Sequence, residues 1–251
     1  MIAVGAPLQR NKWYKHQLLM KYPSLRRFLP KSHKLSVKSL RSMLGRYNEV
    51  ILKPVVGSGG IGIIKVSKLR DKKYNVHTLN ATKTVTGKQL IPVLRKLKGK
   101  RPFLIQNCIP LAKVNDSLVD FRYIVQRKNG DRNWVITGKH GKIGKQGSIV
   151  TNLQQGANVS TVKEALQQSN IKDVKKTMSD LEYLSLTASK GFTREFKSQN
   201  IWGYDLGVDA KGRVWMIEAN CTPLVGGFRY LKNKKMYKRI RKYQAYNRKH
   251  K

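Results

Sequence analysis

The chain has 251 residues, of which 52 are lysine or arginine and 13 are aspartate or glutamate, giving a formal charge of +39. Its hydrophobic content of 40% predicts a folded protein with a core, in one domain or two closely joined lobes. Two cysteines, Cys108 and Cys221, are too few for a disulfide framework or a zinc site, and no apolar run reaches the ~18–20 residues of a membrane span. The amino terminus has no basic region before its short apolar run, so we expect a soluble, intracellular protein with free thiols.

The first part of the chain is predicted to change from helices to strands near residue 49. Helices are expected over residues 11–22, with Pro23 as the stop, and over 36–46, with Ser36 as the cap. β-prone runs then predict strands at 50–56, 63–66, 74–79, 82–86 and 103–110, with an amphipathic helix at 89–98.

A glycine-rich stretch from Gly57 to Gly62 separates the strands predicted at 50–56 and 63–66. A P-loop or a dinucleotide fold would place a helix after the glycines, whereas here a strand follows. Glycines let the backbone approach a polyphosphate and offer N–H donors, Ser58 adds a hydroxyl, and Lys53 could bring an ammonium. Taken alone, the stretch is equally well explained as a glycine-rich hairpin turn.

The second part is predicted to begin with strands at 121–127 and 133–139 around a turn at Asn129-Gly130-Asp131. Asp120 and Arg122 share a face of the first strand, which fits a cross-strand ion pair and a phosphate-binding role for Arg122 equally well. Residues 138–147 are expected to form a basic, mobile lid or anion loop with an exposed His140. Two helices are expected over 161–194, broken near Asn170, and residues 229–251 read as a basic helix or frayed tail.

Residues 201–223 predict a β-hairpin that carries several acids. Glu218 and Asn220 are two positions apart and should share a face, and Asp205 can lie across the hairpin from them. Two carboxylates and an amide oxygen are hard ligands that suit Mg²⁺. A solvated turn with ordinary surface acids is the alternative. Acids are scarce in this chain, with none before Glu49 or after Glu218, which favours the metal site.

The order of these parts resembles the ATP-grasp superfamily. The resemblance is carried by Lys-Pro before the glycine loop, a strand ending in Gln106-x-x-Ile109, Asp120-x-Arg122, and Gly203-x-Asp205 followed by Glu218-x-Asn220. Within that superfamily the chain is similar to the YheC/YheD group of endospore coat-associated proteins. The closer match covers about residues 8–240 and includes Leu29-Pro30, Ile105-Gln106, Asp120-Phe121-Arg122, Ile136-Thr137-Gly138-Lys139, Ile149-Val150-Thr151-Asn152-Leu153 and Glu218-Ala219-Asn220.

The resemblance implies an α+β ATP-grasp fold, in which two α+β lobes with mostly antiparallel sheets clasp a nucleotide. We expect a helical amino-terminal segment at 1–48, a small lobe with the glycine-rich loop at 49–110, a large lobe with the metal site at 111–228, and a basic carboxy-terminal helix or tail at 229–251. We expect a truncated amino-terminal domain, with much of the domain that usually precedes the grasp in such ligases missing.

The resemblance also implies roles for individual residues. Lys12 and Lys53 match the phosphate-binding lysines, and Gly57, Ser58, Gly59, Gly60 and Gly62 match the phosphate loop. Asn107 and Ile109 match the hinge that offers backbone groups to adenine, next to the candidate Gln106, where many members have Glu. Asp205, Glu218 and Asn220 match the Mg²⁺ ligands. Gly203 stands where some members carry an arginine that steadies the intermediate, a role that Lys139, Lys142 or Lys145 could take. Arg122 and Lys139 are the candidate catalytic residues.

Two functions are expected from this resemblance and from the charge. The first is an ATP- and Mg²⁺-dependent carboxylate–amine ligase-like enzyme that acts through an acylphosphate on an acceptor that can be anionic. The second is a non-catalytic basic protein of the spore coat that binds nucleotide or polyanions. The protein is expected to be cytoplasmic or in the endospore coat, where coat proteins would be partners. We expect no sequence-specific nucleic-acid binding, since no such motif is found.

Overall fold

A computed structural model describes residues 7–148, 151, 153 and 156–250 of the chain. The chain divides into two compact units, the first comprising Met1–Trp13 and Pro30–Ile109 and the second Tyr14–Leu29 and Pro110–Lys251. Of the residues in the motif from Ile149 to Leu153, Ile149, Val150 and Asn152 lie outside the described residues. Within the described residues, no helix has the length and apolar character needed to cross a bilayer.

The first unit is built on a six-stranded antiparallel sheet. Its strands are β1 (Ser32–Lys34), β2 (Glu49–Pro54), β3 (Ile64–Lys68), β4 (Lys73–His77), β5 (Thr82–Thr86) and β6 (Phe103–Asn107), in the spatial order β1-β6-β2-β3-β4-β5. Helices α3 (Val37–Arg46) and α4 (Gly87–Lys98) cover it. Ser36 caps α3 because its hydroxyl accepts the Ser39 N–H, and the apolar stripe Leu40, Met43 and Leu44 joins the core. The predicted helix at 36–46 is therefore confirmed.

The second unit is built on a five-stranded sheet with one short added strand. The elements in chain order are α1 (Lys12–Met20), which begins at the end of the first unit, α2 (Pro23–Arg26), β7 (Lys113–Val114), β8 (Ser117–Gln126), β9 (Val135–Ile143), β10 (Asn158–Ser160), α5 (Val162–Gln168), α6 (Val174–Thr193), β11 (Ile201–Val208), β12 (Val214–Asn220) and α7 (Lys235–Lys249). The sheet has the order β10-β9-β8-β11-β12, and β7 pairs with β8. The predicted break between two helices near Asn170 is confirmed.

The two faces of the second sheet differ because side chains alternate along each strand. One face carries Phe121, Tyr123, Trp202 and Tyr204, which pack with Leu181 and its neighbours on α6 into the main core. The other face carries Ile124, against which Phe228 and Ile240 of the carboxy-terminal segment pack. Asp120, Arg122, Lys142 and Asp205 also lie on this second face.

The first helix ends at Met20, before Pro23 as predicted, and Pro23 occupies the first position of the short helix α2, where its missing N–H costs nothing. One local expectation was wrong. Residues 138–147 were expected to be a mobile loop, yet Gly138 to Ile143 belong to β9, and His140 is 2% exposed. The reason is close packing: a Cβ atom on Gly138 would lie 2.6 Å from the Phe228 ring, so these glycines make room for neighbouring elements.

Candidate functional site

A cluster of four charged side chains lies on the second face of the β9–β8–β11 sheet. Arg122 Nη2 lies 3.1 Å from Asp205 Oδ2, and Lys142 Nζ lies 2.9 Å from Asp205 Oδ1 and 2.8 Å from Asp120 Oδ1. The strand register brings them together, because Arg122 opposes Asp205 and Asp120 opposes Lys142. Thr151 Oγ1 donates to Asp120 Oδ2. Lysine 142 is therefore shared between two carboxylates.

Burial and mutual charge set the protonation of this cluster. Burial acts to raise the pKa of Asp205, but the charges of Arg122 and Lys142 outweigh it and hold that pKa below its ordinary value. Burial also acts to lower the pKa of Lys142, and Asp120 and Asp205 more than reverse it. For Asp120, burial dominates and the pKa is raised. Burial lowers the pKa of neighbouring His140 to about 4, so this imidazole is neutral at pH 7.

A β-bulge places the three predicted metal ligands on the same face as this cluster. Leu206 opposes Met216 in the β11–β12 pair, but Asp205 opposes Glu218, so Ile217 is an extra residue on β12. Without it, Glu218 would share the face of Met216, which points into the core. The bulge also sets Asn220 opposite Gly203.

The donor chemistry of these residues fits Mg²⁺. Asp205 and Glu218 supply carboxylate oxygens, Asn220 supplies an amide oxygen, and Mg²⁺ commonly binds one or two carboxylates together with phosphate oxygens and water. Asn220 Nδ2 donates to Asp205 Oδ2 at 3.2 Å, so the two side chains lie next to each other. No group of three or more His, Cys, Asp or Glu side chains suited to a metal occurs in the part of the chain that the structure describes.

The second candidate catalytic residue, Lys139, does not lie with the cluster. It opposes Tyr123 in the register of β8 and β9, and therefore points to the face where the core and α6 lie. There its Nζ donates to Glu182 Oε1 at 2.5 Å. Strand alternation is the physical reason, because Lys139 and Lys142 are three positions apart and must face opposite ways. Of these two lysines, Lys142 is the one that lies beside Asp205.

Gly203 cannot carry the arginine found there in some ATP-grasp proteins without a backbone shift. A Cβ atom at this position would lie 2.3 Å from Pro223 Cβ and 3.2 Å from Arg122 Nη1. The guanidinium of Arg122 therefore lies beside the backbone of residue 203. A cation from β8 thus lies next to the position for which the sequence resemblance implies an arginine in some ATP-grasp proteins.

In the first unit, Lys12 is tied to the glycine-rich loop between β2 and β3. Its Nζ donates to the Gly57 carbonyl oxygen at 2.5 Å, and its backbone N–H donates to Val55 at 2.8 Å. Gly59, Gly60 and Gly62 have φ values of +67°, +76° and +77°, which is the region that favours glycine. Ser58 is exposed on this loop, and Lys53 is half-buried on β2. The conformation of the loop thus requires its glycines.

The predicted hinge follows β6 in the same unit, and part of its hydrogen-bonding capacity is already used. The Asn107 backbone N–H donates to the Lys31 carbonyl at 3.1 Å, and its side chain accepts the Lys31 N–H at 2.8 Å. Gln106 Nε2 donates to Ser32 Oγ at 2.8 Å, and Gln106 is buried. Asn107 and Gln106 are therefore hydrogen-bonded to Lys31 and Ser32 at the start of β1. Ile109 is half-buried and lies two residues beyond the end of β6.

Sequence reasoning missed one lysine that supports the site. Lys15 on α1 is 4% exposed, and its Nζ donates to the carbonyl oxygen of Ala219, the residue between Glu218 and Asn220. Its ammonium also lies 5.9 Å from the centroid of the Trp202 ring. No spacing pattern connects residue 15 with residue 219, so a contact of this kind is not visible in the sequence. Lys15 thus holds the backbone that carries two predicted ligands.

The two antiparallel sheets and their helices are those of an ATP-grasp protein. The family model for the YheC/D-like ATP-grasp matches residues 3–246, and the chain belongs to that family. The endospore coat-associated protein YheD of Bacillus subtilis (strain 168) is 33% identical over 229 residues, with 85% of this chain and 48% of YheD covered. YheC of the same strain, also an endospore coat-associated protein, is 23% identical over 220 residues, with 85% of this chain and 60% of YheC covered.

Solved structures show the same fold. The ATP-grasp ligase PsnB, in complex with a phosphomimetic variant of its minimal precursor, Mg and ADP, superposes with a TM-score of 0.54 at 14% identity. The match covers 95% of this chain and 59% of PsnB. The expected α+β ATP-grasp fold and the expected family are confirmed. The chain spans about half the length of YheD.

Proposed function

We propose that this protein binds ATP and Mg²⁺ and acts as a carboxylate–amine ligase-like enzyme. The observation that carries the proposal is the bulge in β12, which sets Glu218 against Asp205 with Asn220 beside it, next to the cations Arg122 and Lys142. A bulge that moves two polar residues out of the core face and next to a charged cluster is typical of a functional site. The PsnB complex with Mg and ADP supports the same assignment through the shared fold.

Each group of residues would have a separate task. Asp205, Glu218 and Asn220 would hold Mg²⁺, which neutralises charge on the phosphates when bound. Lys12, Lys53 and the N–H groups of residues 57–62 would bind phosphate oxygens, and Ile109 of the hinge would offer backbone groups to adenine. Arg122 and Lys142 would stabilise the charge that spreads over the transferred phosphoryl group.

The proposed reaction has two steps. An oxygen of the substrate carboxylate attacks the γ-phosphorus of ATP, the bond to the ADP oxygen breaks, and an acylphosphate forms. An amine then attacks the acyl carbon, inorganic phosphate leaves, and the amine loses a proton to give an amide. Positioning and electrostatic stabilisation are the main contributions of the protein to the first step.

ADP release in the presence of amino-acid and peptide acceptors tests this proposal. We expect release that requires Mg²⁺ and an acceptor, and its loss in Glu218→Gln with the thermal transition unchanged. Asp116→Asn is the matched control, because Asp116 lies in the same unit and its side chain is 78% exposed. Full turnover in Glu218→Gln would contradict the metal assignment, and equal loss in both variants would mean that a general change in charge is responsible.

A second candidate function is a non-catalytic polyanion-binding role in the spore coat. The helix α7 favours it, since its 15 residues carry seven lysines and arginines, all exposed, and no acid. Its other side packs through Ile240 and Asn247 against the second sheet. Adhesion to immobilised polyglutamate that falls steeply with salt and is unchanged by Glu218→Gln would support this role, and adhesion that survives neutralisation of Arg241 and Lys242 would contradict it.

A further inference from the structure

A concave, cationic pocket lies in the second unit, built from the β8–β9 connection and the end of α6. Its cavity volume is about 530 Å³, and it is lined by five cations and one hydroxyl residue: Arg127, Arg132, Lys190, Thr193, Arg194 and Lys197. None of these residues belongs to the cluster around Asp205 or to the predicted metal ligands. The pocket therefore shares no residue with the candidate magnesium site or with the charged cluster beside it.

The floor of the pocket is a rigidly held arginine. Arg127 is 9% exposed, its Nε donates to the Gln199 carbonyl at 3.1 Å, and its Nη2 donates to the Lys197 carbonyl at 2.5 Å. Its guanidinium lies 4.8 Å from the centroid of the Trp134 ring. Trp134 Nε1 in turn donates to Thr193 Oγ1 at 2.8 Å, so the floor and the hydroxyl of the pocket are coupled. A guanidinium fixed in this way loses little conformational entropy on binding an anion.

The charge of the pocket is not explained by the end of α6 alone. A helix carboxy terminus favours cations in its last turn, which accounts for Lys190. Arg127 and Arg132 come instead from the connection before β9, so the last turn of α6 does not account for them. Glu195 follows Arg194 directly, but it accepts a hydrogen bond from the Tyr14 hydroxyl on α1. The acid nearest in sequence to the α6 cations is thus held by another contact.

We infer that this pocket binds a small phosphate anion with several charges, of the size of pyrophosphate or tripolyphosphate. Cations brought close together repel one another, and an anion that contacts several of them at once removes that repulsion. Arginine forks and lysine ammonium groups are the side chains that bind phosphate oxygens most often. The exposed Lys190, Arg194 and Lys197 form the rim, and the buried guanidinium forms the floor.

The test uses Trp134, which contacts the Arg127 guanidinium and donates to Thr193, as a local probe. The protein has four tryptophans, so a ¹⁵N spectrum of tryptophan-labelled protein has four indole N–H peaks, and Trp134→Phe assigns the one of interest. Pyrophosphate and tripolyphosphate are titrated at constant ionic strength, with sodium sulfate as the comparison anion. We expect a saturable shift of the Trp134 peak at phosphate concentrations where sulfate has no effect. Shifts confined to other indoles would overturn the inference. Equal shifts with sulfate would overturn it as well, because they would show only general screening.

A pair of double variants separates the pocket from general charge. Lys190→Gln with Arg194→Gln removes two rim cations, and Arg95→Gln with Lys96→Gln removes two exposed cations from the last turn of α4, so both change the net charge equally at a helix end. Loss of two charge-assisted contacts should weaken the phosphate affinity at least about tenfold in the pocket pair. The α4 pair should leave it within about twofold. Equal weakening in both pairs, or none in the pocket pair, would overturn the inference.

Discussion

Replacing Lys142 by methionine should destabilise the second unit strongly and in a pH-dependent way. Methionine keeps most of the volume of the side chain but removes the ammonium group that lies between Asp120 and Asp205. The side chains of these two acids are 7% and 12% exposed. Removing one partner of a buried ion pair costs about 3–5 kcal/mol, because the remaining charges stay buried without compensation. Arg122 still pairs with Asp205, so the uncompensated group is mainly Asp120.

The sign of the pH dependence follows from Asp120. Burial already raises its pKa above the ordinary value, and Lys142 is the main group that lowers it, so the variant should raise that pKa further. A carboxyl whose pKa is raised on folding contributes stability that is present below the unfolded pKa of about 3.9 and is lost as the pH rises through the folded pKa. The difference in stability between wild type and Lys142→Met should therefore be largest near pH 8 and shrink toward pH 5.

Urea unfolding followed by tryptophan fluorescence measures this difference. Three of the four tryptophans, Trp134, Trp202 and Trp215, belong to the second unit, so the signal reports mainly on it. Lys145→Met is the matched control, since Lys145 is exposed three residues further along, and it should change the free energy of unfolding by less than about 0.5 kcal/mol. A loss below about 1 kcal/mol at pH 8, or the same loss at pH 5, would refute the reasoning.

Two further pairs of variants test packing around the site. Gly203→Ala should destabilise by about 1–3 kcal/mol, because its Cβ would lie 2.3 Å from Pro223 Cβ, whereas Gly45→Ala in α3, with no atom within 4 Å, should stabilise by about 0.5–1 kcal/mol. Equal effects in thermal denaturation would contradict this. Tyr204→Phe should cost about 1 kcal/mol through its 2.8 Å hydrogen bond to Ser189. Tyr123→Phe should be neutral or stabilising, since within the described residues that buried hydroxyl has no hydrogen-bond partner; a larger loss than for Tyr204→Phe would contradict the assignment.

The sequence predicts most elements of this fold because their periodicity is clear. The helix after Ser36 and the strands around Asn129-Gly130 follow from a cap, an apolar stripe and a turn signal. The segment 138–143 was misread, because glycines that allow close packing of Phe228 look the same in sequence as glycines that form a loop.

The candidate site could be predicted only in part. Strict alternation from Val214 and Met216, both buried, would place Glu218 in the core as well, and only the extra residue Ile217 returns it to the face of Asp205. Isoleucine is as β-prone as its neighbours, so nothing in the sequence marks the bulge. The choice between Lys139 and Lys142 depends on the register of β9, which two lysines in one basic run do not reveal.

Calorimetric titration of ATP tests the central claim most directly. It should be done with and without Mg²⁺, in wild type and in Glu218→Ala, at a salt concentration high enough to screen exposed lysines. We expect saturable binding that requires Mg²⁺ and weakens in Glu218→Ala, with Asp116→Asn behaving as wild type. Binding that ignores both Mg²⁺ and Glu218, and that disappears as salt is raised, would contradict a magnesium–nucleotide site and leave only general anion binding by a protein of charge +39.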